Sequence, residues 1–369
     1  MKKILFAGGG TAGHVEPALA VADAISNMPG DWDLQFLGTE VGLESKLVPQ
    51  RGYKLITIAK VALPRKISFA LLTFPFRYLI AVRQVSKALT GADALIGFGG
   101  YVSGAAYLAA RAKSIPILVH EANAKPGWAN RLGRRFAKVV AINFTVVKEN
   151  WPEAIVTGIP IRDSIVKLAT EESGLRATVA AKYQFDPALP TVAIFGGSQG
   201  SAHMNKAVAD YLAKNSMEKN EKSAPGRDLQ IIHAVGLGNP LPKPLVGYRP
   251  LPYFDDMAGI YAISDILITR SGAVTCAEIL TIGKFAILVP LPHGNGEQQI
   301  NAMELVNSGN ATLVSNAEFD GAWLTNNLAD IVATRSHGAP ISKQNLESAN
   351  RIAELVATRL LSVGDSADG

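Results

Sequence analysis

The sequence predicts an α/β fold made of two domains, each with a doubly wound parallel sheet. The chain has 369 residues, which is more than one hydrophobic core usually serves. Short β-branched runs alternate with helix-length segments in both halves, as they do in parallel sheets. Glycine clusters directly follow three of these runs. They are GGGTAGH at 8–14, GFGGYVSG at 97–104 and FGGSQGSAH at 195–203.

The predicted strands divide unequally between the two halves. In chain order they are KILFA, LQFLG, LITIA, ALIGF, IPILVH, KVVAI and IVTG, then TVAIF, LQIIHAV, DILIT and FAILVP. Because ligands bind at the carboxyl edge of open α/β sheets, the segments after these runs are the candidate sites. A strand, a glycine turn and a helix start together form an anion site the size of a phosphate. We therefore expect two Rossmann-like halves that face a shared cleft, and a substrate that carries a pyrophosphate.

The charge distribution favours a domain boundary near residues 162–163. Residues 1–162 hold 20 Lys and Arg against 10 Asp and Glu, whereas 163–369 hold 16 against 21. We expect a first domain at 1–162 and a second at 163–343, with a helix within 344–362 that packs back on the first. The basic half should meet the anionic partner, but its charges are scattered without interleaved aromatic residues, so nucleic acid is not expected.

Composition also indicates the cellular compartment and argues against metal binding. The single Cys276 excludes an internal disulfide, and the apolar run at the start is too short for a signal-peptide core, so a cytoplasmic protein is expected. The histidines and the cysteine do not fall at metal-ligand spacing. We therefore expect neither a metal nor a cofactor. The polar stretch 212–228 is typical of a surface loop, and 336–343 of a turn.

One basic and apolar segment bears on membranes. Residues 62–84 mix large apolar side chains with Arg65, Lys66, Arg77 and Arg83, but no stretch reaches the roughly 18 apolar residues of a membrane span. Such a segment can rest on an anionic membrane surface. The alternative is a helix that packs on its sheet and turns its basic side to water.

The first glycine loop supports two interpretations. Gly8, Gly10 and Gly13 form a G-x-G-x-x-G, and Glu40 closes the next apolar run as a possible ribose ligand, which favours a dinucleotide-dependent dehydrogenase. Against this, the second half repeats a strand, glycine and helix pattern of its own. His14 stands where the next helix should begin, and helix starts favour the neutral imidazole that suits a general base. A structural histidine bonded to the loop backbone is the alternative.

Two further candidates follow the run ILVH. Glu121 ends that run, and a carboxylate at a strand end can orient an imidazole, bind a sugar hydroxyl or cap a helix. Asn123 is a candidate ligand for a hydroxyl group, with the same alternatives. The sequence leaves these roles open.

The second half offers the better nucleotide pocket. The Ser-Gly turn at 271–272 exposes backbone N–H groups. The hydroxyl of Thr275, at the helix start, can donate a hydrogen bond. Glu278, about one turn later, can bridge two ribose hydroxyls or serve as a capping carboxylate. Gln298 and Gln299 carry amides that both donate and accept, as sugar recognition requires.

A departing diphosphate needs backbone dipoles and cationic groups. Arg162 is the cationic candidate. The backbone candidates are the N–H groups of Ser198, Gln199 and Gly200 in the third glycine cluster.

The motifs occur in one order over almost the whole chain. In sequence they are GGGTAGHVEPALA, FGGYVSG, HEAN, GIPIR, FGGSQGSAHMN, FDDM, RSGAVTCAE and EQQ. By these motifs the chain resembles the MurG family of bacterial N-acetylglucosaminyltransferases, GT-B enzymes of glycosyltransferase family 28. One departure is Ala12, where the family usually has glycine. If that position needs a positive φ, alanine costs on the order of 1 kcal/mol there.

The resemblance implies an activity and its partners. The implied reaction moves N-acetylglucosamine, with inversion, from its uridine-diphosphate carrier to the 4-hydroxyl of undecaprenyl-pyrophosphoryl-MurNAc-pentapeptide, at the cytoplasmic face of the cell membrane. The first domain is then the acceptor and membrane-facing one, and the second binds the UDP-sugar. His14 and Glu121 are the implied catalytic residues. The implied substrate-binding residues are Thr11, Ala12, Gly13, Tyr101, Asn123, Arg162, Ser198, Gln199, Phe254, Ala273, Val274, Thr275, Cys276, Ala277, Glu278, Gln298 and Gln299.

Two other classes of function are weighed against this one. An NAD-dependent oxidoreductase would use the first glycine loop, and stabilisation by NAD rather than by uridine diphosphate would identify it. A non-catalytic subunit that binds a nucleotide sugar and recruits a partner to membranes is the second rival, and it would give no product from the two substrates.

Overall fold

The chain divides into two units, and each is built around one parallel sheet. The computed structural model describes residues 1–61, 69–171, 174–217, 228–293, 295–335 and 343–361. The first unit consists of Met1–Arg162 and the segment from Gln344 onward, and the second unit is Asp163–Lys343. The predicted fold class, two α/β domains with parallel sheets, is confirmed.

Within the described residues, the sheet of the first unit has seven strands in the order β3-β2-β1-β4-β5-β6-β7. The strands are β1 Lys2–Gly8, β2 Trp32–Gly38, β3 Lys54–Thr57, β4 Ala94–Gly99, β5 Ile117–Glu121, β6 Val139–Ile142 and β7 Ile155–Val156. The helices are α1 Ala12–Ser26, α2 Glu44–Gln50, α3 Phe69–Ala88, α4 Gly100–Ala112, α5 Trp128–Arg134 and α13 Ser348–Leu355. A 3₁₀ helix, Thr145–Glu149, precedes β7, and a π-helical turn, Val356–Leu360, follows α13.

Both faces of this sheet are covered, which is why its strands are continuous apolar runs rather than alternating ones. On one face Ile4, Phe6 and Phe36 form a core with α1. Ile352 and Val356 from the C-terminal segment belong to the same core. On the other face the core includes α3, α4 and α5. The C-terminal helix therefore packs on the first unit.

An irregular register joins the first two glycine clusters. β1 is paired with β4, and Ala7 is opposite Gly97, but Gly8 is opposite Gly99 because the register shifts between Ala7 and Gly8. The glycine cluster that follows β1 and the one that ends β4 thus lie side by side at the carboxyl edge.

Within the described residues, the second sheet has six strands in the order β10-β9-β8-β11-β12-β13. The strands are β8 Thr191–Phe195, β9 Gln230–Ala234, β10 Tyr248–Leu251, β11 Ile266–Thr269, β12 Phe285–Leu288 and β13 Ala311–Leu313. The helices are α6 Asp163–Thr170, α7 Leu175–Tyr183, α8 Ala202–Met217, α9 Met257–Ile263, α10 Ala273–Ile282, α11 Glu297–Asn307 and α12 Gly321–Arg335. The strand order reverses between β8 and β11, and such switch points are where open α/β sheets bind ligands.

One boundary differs from the sequence prediction. The stretch from Leu212 was expected to be a loop, but α8 continues to Met217. Met204, Val208 and Tyr211, earlier in α8, already pack the helix on the core. Its last turn can therefore be polar and still remain helical. The rest of the expected loop falls largely on 218–227, outside the described residues, as does most of the turn expected at 336–343.

Candidate active site

His14 ends the first glycine cluster and packs against the second. It occupies the first turn of α1, directly after the loop that follows β1. A Cβ atom on Gly99 would lie 3.3 Å from His14 Nε2, and one on Gly100 would lie 3.3 Å from Nδ1. Gly99 and Gly100 also have φ values of +97° and +80°, which side chains rarely adopt. The imidazole therefore packs closely on the backbone of the second cluster because that backbone has no side chains.

The environment of His14 favours the neutral ring. Burial lowers the pKa of His14, while a hydrogen bond to the Gly9 backbone and the negative charge of Glu44 raise it and only partly offset the effect. Thr11 Oγ1 lies 3.3 Å from His14 Nδ1, within hydrogen-bonding distance. A neutral imidazole can accept a proton, so both interpretations given to His14 remain chemically available, as a base and as a residue bonded to the loop.

Ala12 carries no strain. Among the described non-glycine residues, φ is positive only at Ser114 and Gln184, so Ala12 does not need the left-handed conformation. Ala12 is the first residue of α1, and the left-handed position in this loop belongs to Gly10, at φ +93°. The departure from the usual family motif therefore does not incur the cost considered above.

A carboxylate of the protein itself occupies the first glycine loop. Glu44 is fully buried, and its Oε2 accepts a hydrogen bond from Gly10 N–H at 2.8 Å. Its Oε1 accepts from the N–H of Thr39 at 2.9 Å and from the Thr39 hydroxyl at 3.0 Å. Glu40, the candidate ribose ligand, is exposed in the turn before α2. The amide of Gly10 is therefore not free to bind a dinucleotide pyrophosphate, and Glu40 is not a buried ribose ligand. Both observations count against a dinucleotide-binding loop.

Tyr101 closes the same loop from another side. Its ring would lie 3.2 Å from a Cβ atom on Gly10, and its hydroxyl is 3.0 Å from Thr39 Oγ1. Burial raises the pKa of Tyr101, so the phenol stays protonated and able to donate. The predicted binding residue Tyr101 is thus part of the network that surrounds the first glycine loop.

Glu121 holds the loop after β5. Its Oε1 accepts from the backbone N–H and the side-chain amide of Asn123, at 2.9 and 3.1 Å. Its Oε2 accepts from Gly127 N–H and from the Asn130 amide, each at 3.0 Å. Burial raises the pKa of Glu121 and these hydrogen bonds oppose that effect. Four donors on one buried carboxylate indicate a residue that organises the loop around Asn123.

The remaining candidate of the first unit is Arg162. Its Nε lies 3.1 Å from Glu16 Oε1, and both side chains are largely buried. Glu16 belongs to α1, and Arg51 Nη2 lies 4.0 Å from its other oxygen. The predicted diphosphate ligand thus already has an acidic partner on the helix that carries His14, and Thr11 and Gly13 lie at the start of that helix.

In the second unit, the third glycine cluster is anchored through its carbonyl groups. The Ser198 carbonyl accepts from Leu237 N–H at 3.1 Å, and the Gln199 carbonyl accepts from the Asn239 amide at 2.9 Å. These anchoring bonds use the carbonyl groups of Ser198 and Gln199 and not their N–H groups. The expectation for Gly200 was wrong, because its N–H donates to a carbonyl of the same turn, that of Gly197, at 2.9 Å.

The N-terminus of α10 supplies a row of backbone donors. The helix begins at Ala273 after Gly272, and Cys276 N–H is the first to bond within it, to the Gly272 carbonyl at 2.9 Å. The amides of Ala273, Val274 and Thr275 precede that bond. Thr275 is partly exposed. This helix start is a site where backbone dipoles can meet negative charge.

The predicted residues within α10 contribute in different ways. Cys276 and Ala277 are buried, and burial raises the pKa of the Cys276 thiol to about 12, so neither side chain is available as a polar ligand. Glu278 is 2% exposed, and its Oε2 accepts from the Tyr261 hydroxyl at 2.9 Å. Its other carboxylate oxygen, Oε1, is buried as well.

Aromatic rings connect Glu278 with Phe254. The ring of Phe195, at the end of β8, meets Phe254 edge to face at a centroid distance of 5.8 Å. It also lies 6.4 Å from the ring of Tyr261, which donates to Glu278. Phe254 is itself buried. Three predicted elements of the donor pocket, Phe254, Glu278 and the end of β8, are thus packed together.

Arg270 ties three loops of this carboxyl edge to one another. Its guanidinium is buried and donates to the carbonyls of Val289 and Pro290, each at 3.0 Å, and to Ser201 Oγ at 2.7 Å. Burial lowers the pKa of Arg270. The next residue, Leu291, donates its N–H to Gln298 Oε1 at 2.9 Å. Gln298 is therefore held by this arrangement, whereas Gln299 is exposed.

Sequence reasoning missed Glu44, Asn130 and a role for Arg270. Glu44 bonds backbone groups of two other loops, and no periodic pattern announces such contacts. Asn130 donates to the His120 carbonyl and to Glu121, and accepts from a tyrosine on α4, contacts that only the fold brings together. For Arg270 a signal existed, since an arginine directly after a buried strand must find partners inside the protein.

Two further observations concern only the described part of the chain. There, no three His, Cys, Asp or Glu side chains are grouped so that they could hold a metal ion. No helix within those ranges is long and apolar enough to cross a membrane.

Comparison with known proteins identifies the family. Residues 4–142 match the glycosyltransferase family 28 N-terminal domain, and residues 191–356 match the glycosyltransferase family 28 C-terminal domain. The chain belongs to glycosyltransferase family 28. Family 28 thus accounts for both units, and the expected MurG-type resemblance and the assignment as a glycosyltransferase are confirmed.

Relatives within family 28 are similar over most of their length. A protein of Frankia casuarinae is 43% identical over 93% of this chain and 90% of its own, and one of Corynebacterium efficiens is 41% identical over 96% of both. Each is named UDP-N-acetylglucosamine--N-acetylmuramyl-(pentapeptide) pyrophosphoryl-undecaprenol N-acetylglucosamine transferase.

Solved structures share the fold. MurG of Acinetobacter baumannii has a TM-score of 0.65 and 25% identity, covering 97% of this chain and 99% of its own. The UDP complex of MnaA from S. aureus has a TM-score of 0.66 with 12% identity, over the full length of both chains, and shows likeness of fold alone.

Proposed function

We propose that this protein transfers N-acetylglucosamine from UDP-N-acetylglucosamine to the 4-hydroxyl of the muramyl sugar in undecaprenyl-pyrophosphoryl-MurNAc-pentapeptide. Membership of family 28 and relatives about 40% identical that carry this name support the proposal. We assign the UDP-sugar to the second unit and the lipid-linked acceptor to the first. The observation that carries the mechanism is the close packing of the His14 imidazole on the backbone of Gly99 and Gly100, in surroundings that lower its pKa by burial.

The donor diphosphate is assigned to the carboxyl edge of the second sheet. The amides at the start of α10, with those of Ser198 and Gln199, offer backbone N–H groups for its oxygens. Ten residues of α10 add a helix dipole whose positive end faces the same site. These groups stabilise negative charge most when it is greatest, as the diphosphate leaves.

The nucleoside and sugar are assigned to side chains around that site. Glu278 is the ribose ligand, since its carboxylate can accept from two neighbouring hydroxyls. Phe254 lines the pocket with apolar surface, and Gln298 and Gln299 bind sugar hydroxyls. Gln298 is already fixed by Leu291, so it loses little side-chain freedom on binding.

His14 acts as the general base. The neutral imidazole accepts the proton of the acceptor hydroxyl while that oxygen forms a bond to the anomeric carbon of N-acetylglucosamine. The bond between that carbon and the diphosphate oxygen breaks, its electron pair leaves with uridine diphosphate, and the anomeric configuration inverts. Glu121 is assigned a positioning role, because its four hydrogen bonds fix the loop of Asn123.

A membrane-facing surface on the first unit fits a lipid-linked acceptor. Phe76, Leu79 and Ile80 of α3 are exposed apolar side chains, and Phe76 is 73% exposed. Arg77 and Arg83 are exposed on the same helix. We infer that this part of α3 rests on the anionic cytoplasmic face of the membrane. Arg65 and Lys66, part of the same expected segment, lie outside the described residues.

The experiment is a turnover assay with UDP-N-acetylglucosamine and a lipid-linked acceptor analogue. His14→Ala should lower kcat by about 100-fold or more, with the donor KM unchanged, because only proton transfer is lost. Glu278→Gln should instead raise the donor KM by about 10-fold or more, because it removes a charged acceptor. His203→Gln is the matched control, since the His203 ring, on α8, bonds the Phe319 carbonyl and should leave turnover unchanged. Full turnover by His14→Ala, or no product from the wild type, would defeat the proposal.

A further inference from the structure

We propose that Glu44 is a positioning residue for this transfer, because its carboxylate takes the place in the first glycine loop that a phosphate takes in dinucleotide-binding loops. By holding that loop it fixes the start of α1 and therefore His14. This inference rests on the proposed role of His14 as the base. None of the motifs quoted above includes Glu44.

The hydrogen bonds of Glu44 are those of a bound anion. The carboxylate has no solvent exposure, and both oxygens are engaged. Gly10 N–H donates to one oxygen at 2.8 Å, and Thr39 donates to the other through its N–H and its hydroxyl, at 2.9 and 3.0 Å. Backbone amides that converge on one anion from a glycine turn are the same arrangement that cradles phosphates.

Three glycines make room for this carboxylate. A Cβ atom would lie 2.9 Å from Glu44 Oε1 if placed on Gly9, 2.3 Å from Cγ if placed on Gly38, and 2.0 Å from Oε2 if placed on Gly42. Cβ atoms essentially never approach that closely, so a side chain at any of these positions would force the Glu44 side chain to move. Glycines from the loop after β1, the end of β2 and the turn before α2 thus surround one carboxylate, which indicates a built site rather than a chance contact.

The bonds of Glu44 lead to the proposed reacting groups along two routes. Gly10, at φ +93°, directly precedes Thr11 and α1, so the bond to its amide sets where the first turn and His14 begin. Thr39 connects Glu44 with the hydroxyl of Tyr101, whose ring covers Gly10. Gly10 is therefore held between a carboxylate and an aromatic ring, and its N–H is not available to a substrate phosphate.

The test compares Glu44→Gln with Glu40→Gln. Glutamine at position 44 turns an NH₂ group toward a backbone N–H, so one hydrogen bond is lost and two donors face each other. Glu40 is exposed, so Glu40→Gln makes the same change of charge outside the loop. We expect Glu44→Gln to lower kcat by about 100-fold, the usual effect of a small displacement of a reacting group. The donor KM and the affinity for uridine diphosphate should stay within about twofold of wild type, because those residues lie in the other unit. Glu40→Gln should behave as wild type.

A double-mutant cycle with Tyr101→Phe separates positioning from general damage. If Glu44 and Tyr101 act through the same loop, Tyr101→Phe should cost much less kcat in the Glu44→Gln background than alone. The inference is overturned if Glu44→Gln keeps kcat within about threefold of wild type, if the two substitutions are additive, or if uridine diphosphate affinity falls in parallel with kcat. A wild type that makes no product would instead defeat the proposed function.

Discussion

Acidification is expected to destabilise the second unit through His233. This ring is buried on β9, with Nδ1 3.1 Å from the Tyr248 hydroxyl and Nε2 3.1 Å from Asn205 Oδ1. Asn205 donates its amide to the Val235 carbonyl, so its Oδ1 faces the ring and accepts from Nε2. Nδ1 is then the acceptor for Tyr248, and protonating Nδ1 would reverse that hydrogen bond and place a charge in the core.

The magnitude follows from the pKa. Burial lowers the pKa of His233 from 6.5 to about 4. Between these values the unfolded chain binds a proton that the native state does not, so stability is present above pH 6.5 and is lost as the pH falls toward 4. The full shift corresponds to about 3 kcal/mol, of which about 2 kcal/mol is lost between about pH 7 and about pH 5.

The assay is urea unfolding at several pH values, followed by hydrogen-exchange mass spectrometry so that peptides of the second unit are read separately. His233→Gln keeps groups that can pair with Tyr248 and Asn205 but does not titrate. Its free energy of unfolding should fall by about 2 kcal/mol less than that of the wild type over the same pH interval. Parallel pH dependences for the two proteins would show that His233 is not held neutral by the fold, and the argument would fail.

Two further predictions concern binding. Arg270→Lys should weaken uridine diphosphate binding by about 10-fold in titration calorimetry, because a single ammonium group cannot satisfy the three acceptors that the guanidinium bridges, and unchanged affinity would contradict its role. Phe76→Ser with Leu79→Ser should lower sedimentation with anionic liposomes by roughly 10-fold, because each change removes exposed apolar area. Val246→Ser, at a side chain 83% exposed in the second unit, is the matched control, and equal losses in both proteins would rule out a membrane surface on α3.

The sheets could be predicted from the sequence because their signal is local. Runs such as TVAIF and ALIGF are buried on both faces, and strands of that kind are apolar throughout. The start of α10 after RSG was also predictable, since a glycine turn before a helix exposes amides whatever the tertiary context.

What the sequence could not predict depends on contacts between distant segments. Glu44 bonds Gly10, 34 positions away, and nothing in the local pattern distinguishes it from the exposed Glu40. The Gly200 amide was expected to bind the diphosphate, but in its tight turn that N–H donates to the Gly197 carbonyl. The fold could thus be predicted from the pattern of apolar residues. The hydrogen-bond partners in the candidate site could not, because they depend on how distant segments are aligned in the sheet.

The two units differ in when they can be completed. The core of the first unit contains both Ile4 and Leu360, residues from nearly opposite ends of the chain, whereas the second unit is continuous from 163 to 343. During synthesis the second unit can therefore fold while the first still lacks Ile352, Val356 and Leu360, and the first sheet waits with part of one face uncovered. The unit that carries His14 is therefore completed only after α13 has been synthesised.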